Sequence, residues 1–387
     1  MSAVAAPEVA PRVVERKVLE REVLEREVLE RARPTLYAHV GERIAHLTEL
    51  LGLQSQRERI DRVFALMCRQ SLNLPFGRRP LQASHLNADG TPFQFALALG
   101  AGRPALQFLT ETAPPGVFGA ARLQAARQCA SDVAALIGAE AELAAVSTWI
   151  DALAPPTDAA LLAEDAGAIW LGAGFAPDGQ ARLKVYVNAK HGTAASRWAR
   201  LDAGAARFGV SADWRAAGPA VGRLAPLGVA VIVGPGVAPT ARIYLAGYGQ
   251  HLGDHLAFAE RFGGAAFRHH VHRGMSTWLE DDVACPTRSA VASVALRDGG
   301  LGGAKIELCA HCAFDDDAQA TARCARWLRQ IDVDPALYLQ MLAGLTSNHA
   351  HAVGSAGRAA VHAYVGIAAG PSGPGASFYF NPAAASH

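Results

Sequence analysis

Residues 181–188 read Ala181-Arg-Leu-Lys-Val-Tyr-Val-Asn188, and this stretch decides the fold because variants of it recur along the chain. Side chains of a β-strand alternate between its two faces, so Lys184 and Tyr186 lie on one face and apolar residues on the other. The related polar sets are Arg242 and Tyr244; Lys305, Glu307, Cys309 and His311; His362 and Tyr364; Ser377 and Tyr379. The pattern predicts strands with one apolar face and one cationic or phenolic face.

These strands belong to five expected hairpins, at 93–112, 166–189, 228–247, 288–311 and 358–381. Helix-rich segments separate the hairpins, which makes the arrangement an internal repeat. Hairpins that close into a barrel lose their exposed edges, and the helices can cover the apolar strand faces. We therefore expect an α+β fold, an antiparallel ten-stranded β-barrel of five ααββ repeats with a polar lumen and an outer ring of helices.

The composition describes a globular chain of 387 residues, 51% hydrophobic and 18% charged. A formal net charge of +1 argues against a nucleic-acid partner. No apolar run reaches about 18 residues, so no membrane span is expected. The six cysteines are scattered and the N-terminus has no signal-peptide pattern, which favours a reduced, cytoplasmic protein.

The N-terminal segment differs from the rest in composition. Between Val14 and Arg31 a Val-Leu pair returns every fifth residue among Glu and Arg. Five residues turn a helix by about 500°, so these pairs spiral around it and form no stripe. We interpret residues 1–33 as a low-complexity, solvated helical extension rather than a partner-binding segment. Residues 34–387 are expected to form a single domain, as a monomer or homodimer.

Four stretches in order resemble a known family. They are Asp89-Gly-Thr-Pro-Phe-Gln94, Leu183-Lys-Val-Tyr-Val187, Ala241-Arg-Ile-Tyr244 and, with Tyr364, Ser377-Phe-Tyr379. From about residue 36 to 382 the chain resembles the aromatic prenyltransferases of the ABBA type, whose fold is called the PT barrel. Within them it resembles the bacterial members of the dimethylallyltryptophan synthase family.

This resemblance implies an enzyme of secondary metabolism, such as alkaloid biosynthesis. Its members transfer a dimethylallyl group from dimethylallyl diphosphate to an aromatic ring, usually the indole of tryptophan or a derivative. It also implies that no metal or other cofactor is needed for the chemistry. The alternatives are another aromatic acceptor (a phenol, tyrosine or an indole-containing peptide) and a non-catalytic barrel that binds a hydrophobic ligand.

The resemblance also suggests roles for individual residues. Fixed positive charge stabilises a departing diphosphate, while aromatic faces stabilise an allyl cation and exclude water. The implied diphosphate-binding residues are Lys184, Arg242, Lys305 and Gln107. The implied tyrosine shield is Tyr186, Tyr244, Tyr364 and Tyr379.

Two positions depart from the family pattern. Gln94 stands where the family usually has a glutamate that holds the indole N–H and can act as a base. An amide oxygen still accepts that hydrogen bond, but an amide is a very poor base. Gln107 stands where an arginine usually contacts the diphosphate, and Arg103 is a possible substitute. The acceptor, the attacked atom and the final proton acceptor therefore stay open.

Metal sites are weaker alternatives. Cys309-Ala-His-Cys312 could serve a zinc hydrolase, but on a continuous strand Cys309 and Cys312 would face opposite sides. Residues 315–317, all Asp, are expected to cap and begin a helix rather than to hold magnesium. The histidines at 269, 270 and 272 are expected at the surface.

Overall fold

The structure is a computed structural model, and it describes most of the chain from residue 34 onward. The described residues are 34–76, 83–84, 86–87, 89–100, 104–154, 169–211, 214, 221, 223–280, 289–297, 300–346, 361–370 and 373–382. The predicted extension at 1–33 and the candidate Arg103 lie outside them.

Segments of one to three helices alternate with pairs of strands along the described chain. The helices are α1 (Leu36–Leu50), α2 (Arg57–Cys68), α3 (Gly119–Ile137), α4 (Glu140–Leu153), α5 (Ala194–Ala206), α6 (Leu252–Leu279), α7 (Ala310–Ala313), α8 (Asp317–Gln330) and α9 (Ala336–Thr346). The strands are β1 (Phe93–Leu99), β2 (Leu106–Thr110), β3 (Ile169–Phe175), β4 (Ala181–Asn188), β5 (Ala225–Gly234), β6 (Val237–Ala246), β7 (Ala290–Arg297), β8 (Gly300–Cys309), β9 (His362–Gly370) and β10 (Gly373–Phe380).

All ten strands form one closed antiparallel barrel in which each strand pairs with its sequence neighbours and β1 pairs with β10. Closure satisfies the backbone hydrogen bonds that an open sheet would expose at its edges. The predicted ten-stranded barrel with helices around it is therefore confirmed.

The apolar strand faces point outward and carry the core. Leu183, Val185 and Val187 on β4 are almost completely buried. Helix α6 lies so close to β9 that a side-chain carbon at Gly274 would collide with Ile367. The core is thus a layer between barrel and helices, which leaves the polar strand faces to line the lumen.

Polar caps fix where several helices begin. Thr35 accepts a hydrogen bond from the backbone N–H of Ala38 at 3.1 Å, and Thr193 accepts one from Ser196 at 3.2 Å. Asp316 accepts one from Gln319 at 2.7 Å, at the start of α8. These bonds satisfy N–H groups that lack helical partners, and the third confirms the expected cap at 315–317.

Helix α6 is longer than the sequence indicated. Helix was expected to end near residue 263, with a mixed stretch around Trp278, but α6 continues to Leu279. Gly264 has φ 79° inside it and joins two helical arms across a kink. A glycine is often the residue that ends a helix, because it adopts the left-handed backbone conformation easily. Gly264 adopts this conformation here, yet the helix continues beyond it.

His362 does not share the lumen face with Tyr364, so that prediction is wrong. The register of β9 and β10 shifts here: Tyr379 is opposite Tyr364, but Phe380 is opposite His362, and Ala363 is the extra residue. A bulge of one residue moves every side chain beyond it to the other face. His362 instead lies outside the barrel, with Nε2 2.8 Å from the Tyr338 hydroxyl and Nδ1 2.7 Å from Asp317 Oδ1.

No helix in the described part of the chain has both the length and the apolar character needed to cross a membrane.

Candidate active site

Small residues occupy one lumen-facing position on each of four odd-numbered strands, β3, β5, β7 and β9. In register with the large polar residues of their neighbours stand Gly172 on β3, Ala230 on β5, Ser293 on β7 and Gly366 on β9. Side chains of the even-numbered strands therefore reach one another across these small residues. Because small residues stand beside large polar ones, residues that are far apart in sequence form one continuous polar surface.

Three buried or half-buried cations project from this surface: Lys184, Arg242 and Lys305, which we call the basic cluster. Lys184 Nζ donates a hydrogen bond of 2.8 Å to Gln107 Oε1 across β3. Arg242 Nη1 donates one of 3.1 Å to Ser293 Oγ. The structure thus brings the four predicted diphosphate-binding residues into one lumen.

The basic cluster holds more positive charge than its surroundings neutralise. Burial, together with the nearby charges of Lys305 and Arg242, lowers the pKa of Lys184 to about 8. Burial also lowers the pKa of Lys305, against the opposing effect of Glu307. Crowded cations with depressed pKa values are a favourable environment for an anion, which would relieve their mutual repulsion.

The four predicted shield tyrosines lie in the same lumen as two ring pairs. The ring centroids of Tyr186 and Tyr244 are 5.8 Å apart, and those of Tyr364 and Tyr379 are 6.3 Å apart and nearly perpendicular. Burial raises the pKa of Tyr186 to about 12 and that of the other three well above the usual value. All four therefore stay neutral phenols, whose ring faces can attract a cation.

The ring of Tyr379 already lies beside a cation. The ammonium of Lys305 lies 4.7 Å from the centroid of the Tyr379 ring and donates a 2.8 Å hydrogen bond to its hydroxyl. The geometry shows that this lumen accommodates a cation beside a tyrosine ring.

Glu307 is a lumen carboxylate to which the sequence analysis assigned no role. Its Oε1 lies 2.5 Å from Lys305 Nζ, and this close ion pair opposes the lowering of the Lys305 pKa by burial. The buried Ser377 hydroxyl has no partner in the described part of the chain. Gly366 makes room for both side chains: a Cβ there would lie 2.9 Å from Glu307 Cγ and 2.8 Å from Ser377 Oγ. A buried hydroxyl without a hydrogen bond is costly, so Ser377 is suited to a ligand.

Gln94 is 2% exposed and held in one orientation. Its Nε2 donates to the Leu86 carbonyl and, at 2.9 Å, to Asn87 Oδ1. Asn87 cannot turn its amide around, because its Nδ2 donates to the carbonyls of Thr91 and Phe93 at 2.9 and 2.6 Å. The fixed amide leaves Gln94 Oε1 as an acceptor that no described residue uses.

Glu111 is the other buried carboxylate among the described residues. It accepts hydrogen bonds from Ser84 Oγ at 2.7 Å and Trp170 Nε1 at 2.9 Å, and it forms an ion pair with Arg122. Glu111 is thus occupied in holding Trp170, which stands on the lumen face of β3 opposite Tyr186.

Cys309, His311 and Cys312 lie together at the end of β8, contrary to expectation. Their ligand atoms are all within 4.8 Å of one another, and Cys309 Sγ is 2.9 Å from His311 Nδ1. The prediction that the cysteines face opposite sides is wrong because β8 ends at Cys309 and α7 turns the chain back. Among the described residues this is the one group of three or more candidate metal ligands. As expected, His269 and His272 are exposed on α6.

Searches against family models and against curated protein sequences find no match. Solved structures do match. The 5-dimethylallyltryptophan synthase from Streptomyces coelicolor is 20% identical over 91% of this chain and 99% of its own, with a TM-score of 0.77. The 6-dimethylallyltryptophan synthase from Micromonospora olivasterospora, solved in complex with DMASPP and Trp, is 20% identical over 92% and 100%, with a TM-score of 0.75.

A more distant match is AnaPT from Neosartorya fischeri, 13% identical over 89% of this chain and 92% of its own, with a TM-score of 0.64. The likeness extends over nearly the whole length of each protein. The chain therefore has the fold of the bacterial dimethylallyltryptophan synthases, the ABBA prenyltransferase barrel.

Proposed function

We propose that this protein is an aromatic prenyltransferase, which transfers the dimethylallyl group of dimethylallyl diphosphate to the indole ring of tryptophan or a tryptophan derivative. The observation that carries the proposal is the basic cluster and the two tyrosine pairs in one closed lumen. A solved structure of the same fold contains DMASPP and Trp, which supports these two substrate classes.

The basic cluster binds the diphosphate and stabilises the charge that develops as the bond to the allyl carbon breaks. Lys184, Arg242 and Lys305 supply fixed positive charge, and Gln107 orients Lys184 through their hydrogen bond. Preorganised charge in a buried site is among the largest contributions to catalysis. We propose that these cations serve in place of a metal, so that the reaction proceeds without one.

The tyrosine pairs hold the allyl cation and exclude water from it. Their neutral rings offer electron-rich faces, as the contact of Lys305 with Tyr379 illustrates. Hydrolysis of the cation would compete with transfer if water reached it, so a lining of large buried rings favours transfer.

The bond from the allyl carbon to diphosphate breaks first, with its electron pair kept by the diphosphate, and the aromatic acceptor then attacks the cation to form a carbon–carbon bond. Gln94 Oε1 accepts the indole N–H, a role that its fixed amide allows. The ring must then lose a proton to become aromatic again, and an amide cannot take it. We assign this proton to the carboxylate of Glu307, whose one described ion pair is with Lys305 in the lumen, because the other buried carboxylate, Glu111, is held by three groups, Arg122, Ser84 and Trp170.

We also propose that the protein acts in the cytoplasm on small molecules, with neither nucleic acid nor membrane as a partner, as a monomer or homodimer. The near-neutral charge supports this, as does the absence of disulfides among the described cysteines.

Mass spectrometry of tryptophan incubated with the full chain and dimethylallyl diphosphate, in the presence of EDTA, tests the proposal. We expect a product heavier by one dimethylallyl unit, with NMR then locating the attachment. Product from a phenol, tyrosine or an indole-containing peptide alone would correct the acceptor. Failure with every acceptor, combined with tight ligand binding, would favour the non-catalytic barrel.

A further inference from the structure

The cluster of Cys309, His311 and Cys312 is not used by the proposed reaction. Three potential ligands within four residues converge because a strand ends and a helical turn begins between them. We propose that these two thiols and this imidazole bind one Zn²⁺ ion, with the fourth coordination position left to water or a small ligand.

The ligand types and spacing suit zinc. Zinc prefers cysteine sulfur at about 2.3 Å and histidine nitrogen at about 2.0 Å in tetrahedral geometry, which separates neighbouring ligand atoms by about 3.6 Å. The present separations range from 2.9 Å, between Cys309 Sγ and His311 Nδ1, up to a limit of 4.8 Å. The ligand atoms therefore already lie within about 1 Å of the separations that a tetrahedral zinc site requires.

The surroundings provide both rigidity and access. Cys309 is 5% exposed and anchored in β8, where it pairs with Tyr364 of β9. His311 and Cys312 are half-buried on α7, so an ion can enter from solvent. A site with one buried ligand and two more accessible ligands can bind its metal ion after the chain has folded.

This site is separate from the basic cluster. Cys309 follows Lys305 by four residues on the same strand, which corresponds to about 13 Å along β8. An ion bound there cannot share the diphosphate held by Lys305, but it lies beside Tyr364 of the proposed shield. The site is thus a second ligand-binding position at the end of the lumen, and its existence does not depend on the proposed function.

Titration of the full chain with Co²⁺ tests the site, because cobalt–thiolate bonds absorb in the near ultraviolet. We expect one equivalent to give a thiolate charge-transfer band that Zn²⁺ then abolishes. Loss of an outer hydrogen-bond partner of a metal ligand weakens binding 10- to 100-fold, so His311→Ala and Cys312→Ala should each weaken it by roughly 100-fold or more. Cys129→Ala, which removes a half-buried thiol of α3, should bind as the wild type does.

A second measurement needs no variant. Zn²⁺ should slow the alkylation of Cys309 and Cys312 in the wild-type protein, read peptide by peptide by mass spectrometry, and leave Cys129 unchanged. The proposal is overturned if the wild type shows no stoichiometric charge-transfer band, if His311→Ala and Cys312→Ala bind cobalt normally, or if zinc protects all three cysteines equally.

Discussion

Lys305 and Tyr379 form a 2.8 Å hydrogen bond although their strands, β8 and β10, do not pair. They meet over Gly366 of β9, where any Cβ would also press on Glu307 and Ser377. Lys184 reaches Gln107 over β3 in the same way. These two contacts of the site therefore join alternate strands, and the glycines beneath them are part of the site.

Gly366→Ala should lower turnover without unfolding the protein. The added methyl would lie 2.9 Å from both Lys305 Cε and Glu307 Cγ and would displace the ends of these flexible side chains. Misplacing reacting groups by about 1 Å can cost 100-fold, so we expect kcat to fall about tenfold or more. Gly300→Ala in β8 has nothing within 4 Å and should behave as wild type. Equal turnover in both variants would show that the Lys305–Glu307 arrangement does not matter.

Lys184→Met should lower kcat/KM for dimethylallyl diphosphate by roughly 100- to 1000-fold, since it removes a buried charge aimed at the leaving group. Arg268→Met removes an exposed charge from α6, outside the barrel, and should change little. Steady-state kinetics with a fixed acceptor concentration measure both. A loss of only a few-fold in Lys184→Met would fit a binding barrel better than an enzyme.

The value of kcat/KM for dimethylallyl diphosphate should fall at alkaline pH. Burial and neighbouring cations lower the pKa of Lys184 to about 8, so its charged form is present below that pH and lost above it. We therefore expect kcat/KM for the diphosphate, which reports the free enzyme, to decline as pH rises through about 8. Arginine keeps its charge in this range, so Lys184→Arg should lack this decline. If the variant keeps the same alkaline limb, another group, such as Lys305, causes it.

Glu307→Gln should slow product formation by roughly 100- to 10,000-fold, the range typical of a lost general base, with both KM values nearly unchanged. Cleavage of the diphosphate should continue, and positional isotope exchange in labelled dimethylallyl diphosphate would detect it. Glu260→Gln, an exposed change on α6, serves as the control. A higher KM for tryptophan with normal kcat would instead indicate that Glu307 binds the substrate's ammonium group.

Gln94→Glu should destabilise the protein by about 2–3 kcal/mol at neutral pH. The change replaces a donor with a carboxylate oxygen that faces the Leu86 carbonyl and Asn87 Oδ1, and Asn87 is held by its own hydrogen bonds. These acceptors favour the protonated carboxyl, so the loss should shrink as pH falls. Thermal unfolding at two pH values measures this, with the exposed Gln54→Glu as control. Unchanged stability would show that the pocket around residue 94 rearranges freely.

The sequence was most informative where alternation is uninterrupted. Lys184 and Tyr186 on β4, and Arg242 and Tyr244 on β6, could be assigned to one face because a strand without a bulge keeps its period. The same reasoning failed at His362, because one extra residue, Ala363, reverses the face and leaves no mark on the local composition. The two-residue alternation of a strand assigns side chains to a face only up to the next bulge.

Two other features could not be predicted from the sequence, for related reasons. The Cys309–Cys312 cluster depends on the residue at which β8 ends, and strand ends are poorly determined by residue type. Gly172 and Gly366 look like weak points of a strand in sequence, whereas in the barrel they are where other side chains pass. The hydrogen bonds from Lys184 to Gln107 and from Lys305 to Tyr379 join residues more than 70 positions apart, so only the closed sheet reveals them.

The distribution of small and large residues around the lumen also separates two properties that most pockets combine. The three cations of the basic cluster and three of the four shield tyrosines stand on even-numbered strands, whereas the small residues Gly172, Ala230, Ser293 and Gly366 stand on odd-numbered strands. A mutation that enlarges Ala230 would reshape the space for an acceptor and leave Lys184 and Lys305 in place. A barrel built in this way can diversify its acceptors at small positions of the odd-numbered strands while the cations of the even-numbered strands preserve the reaction.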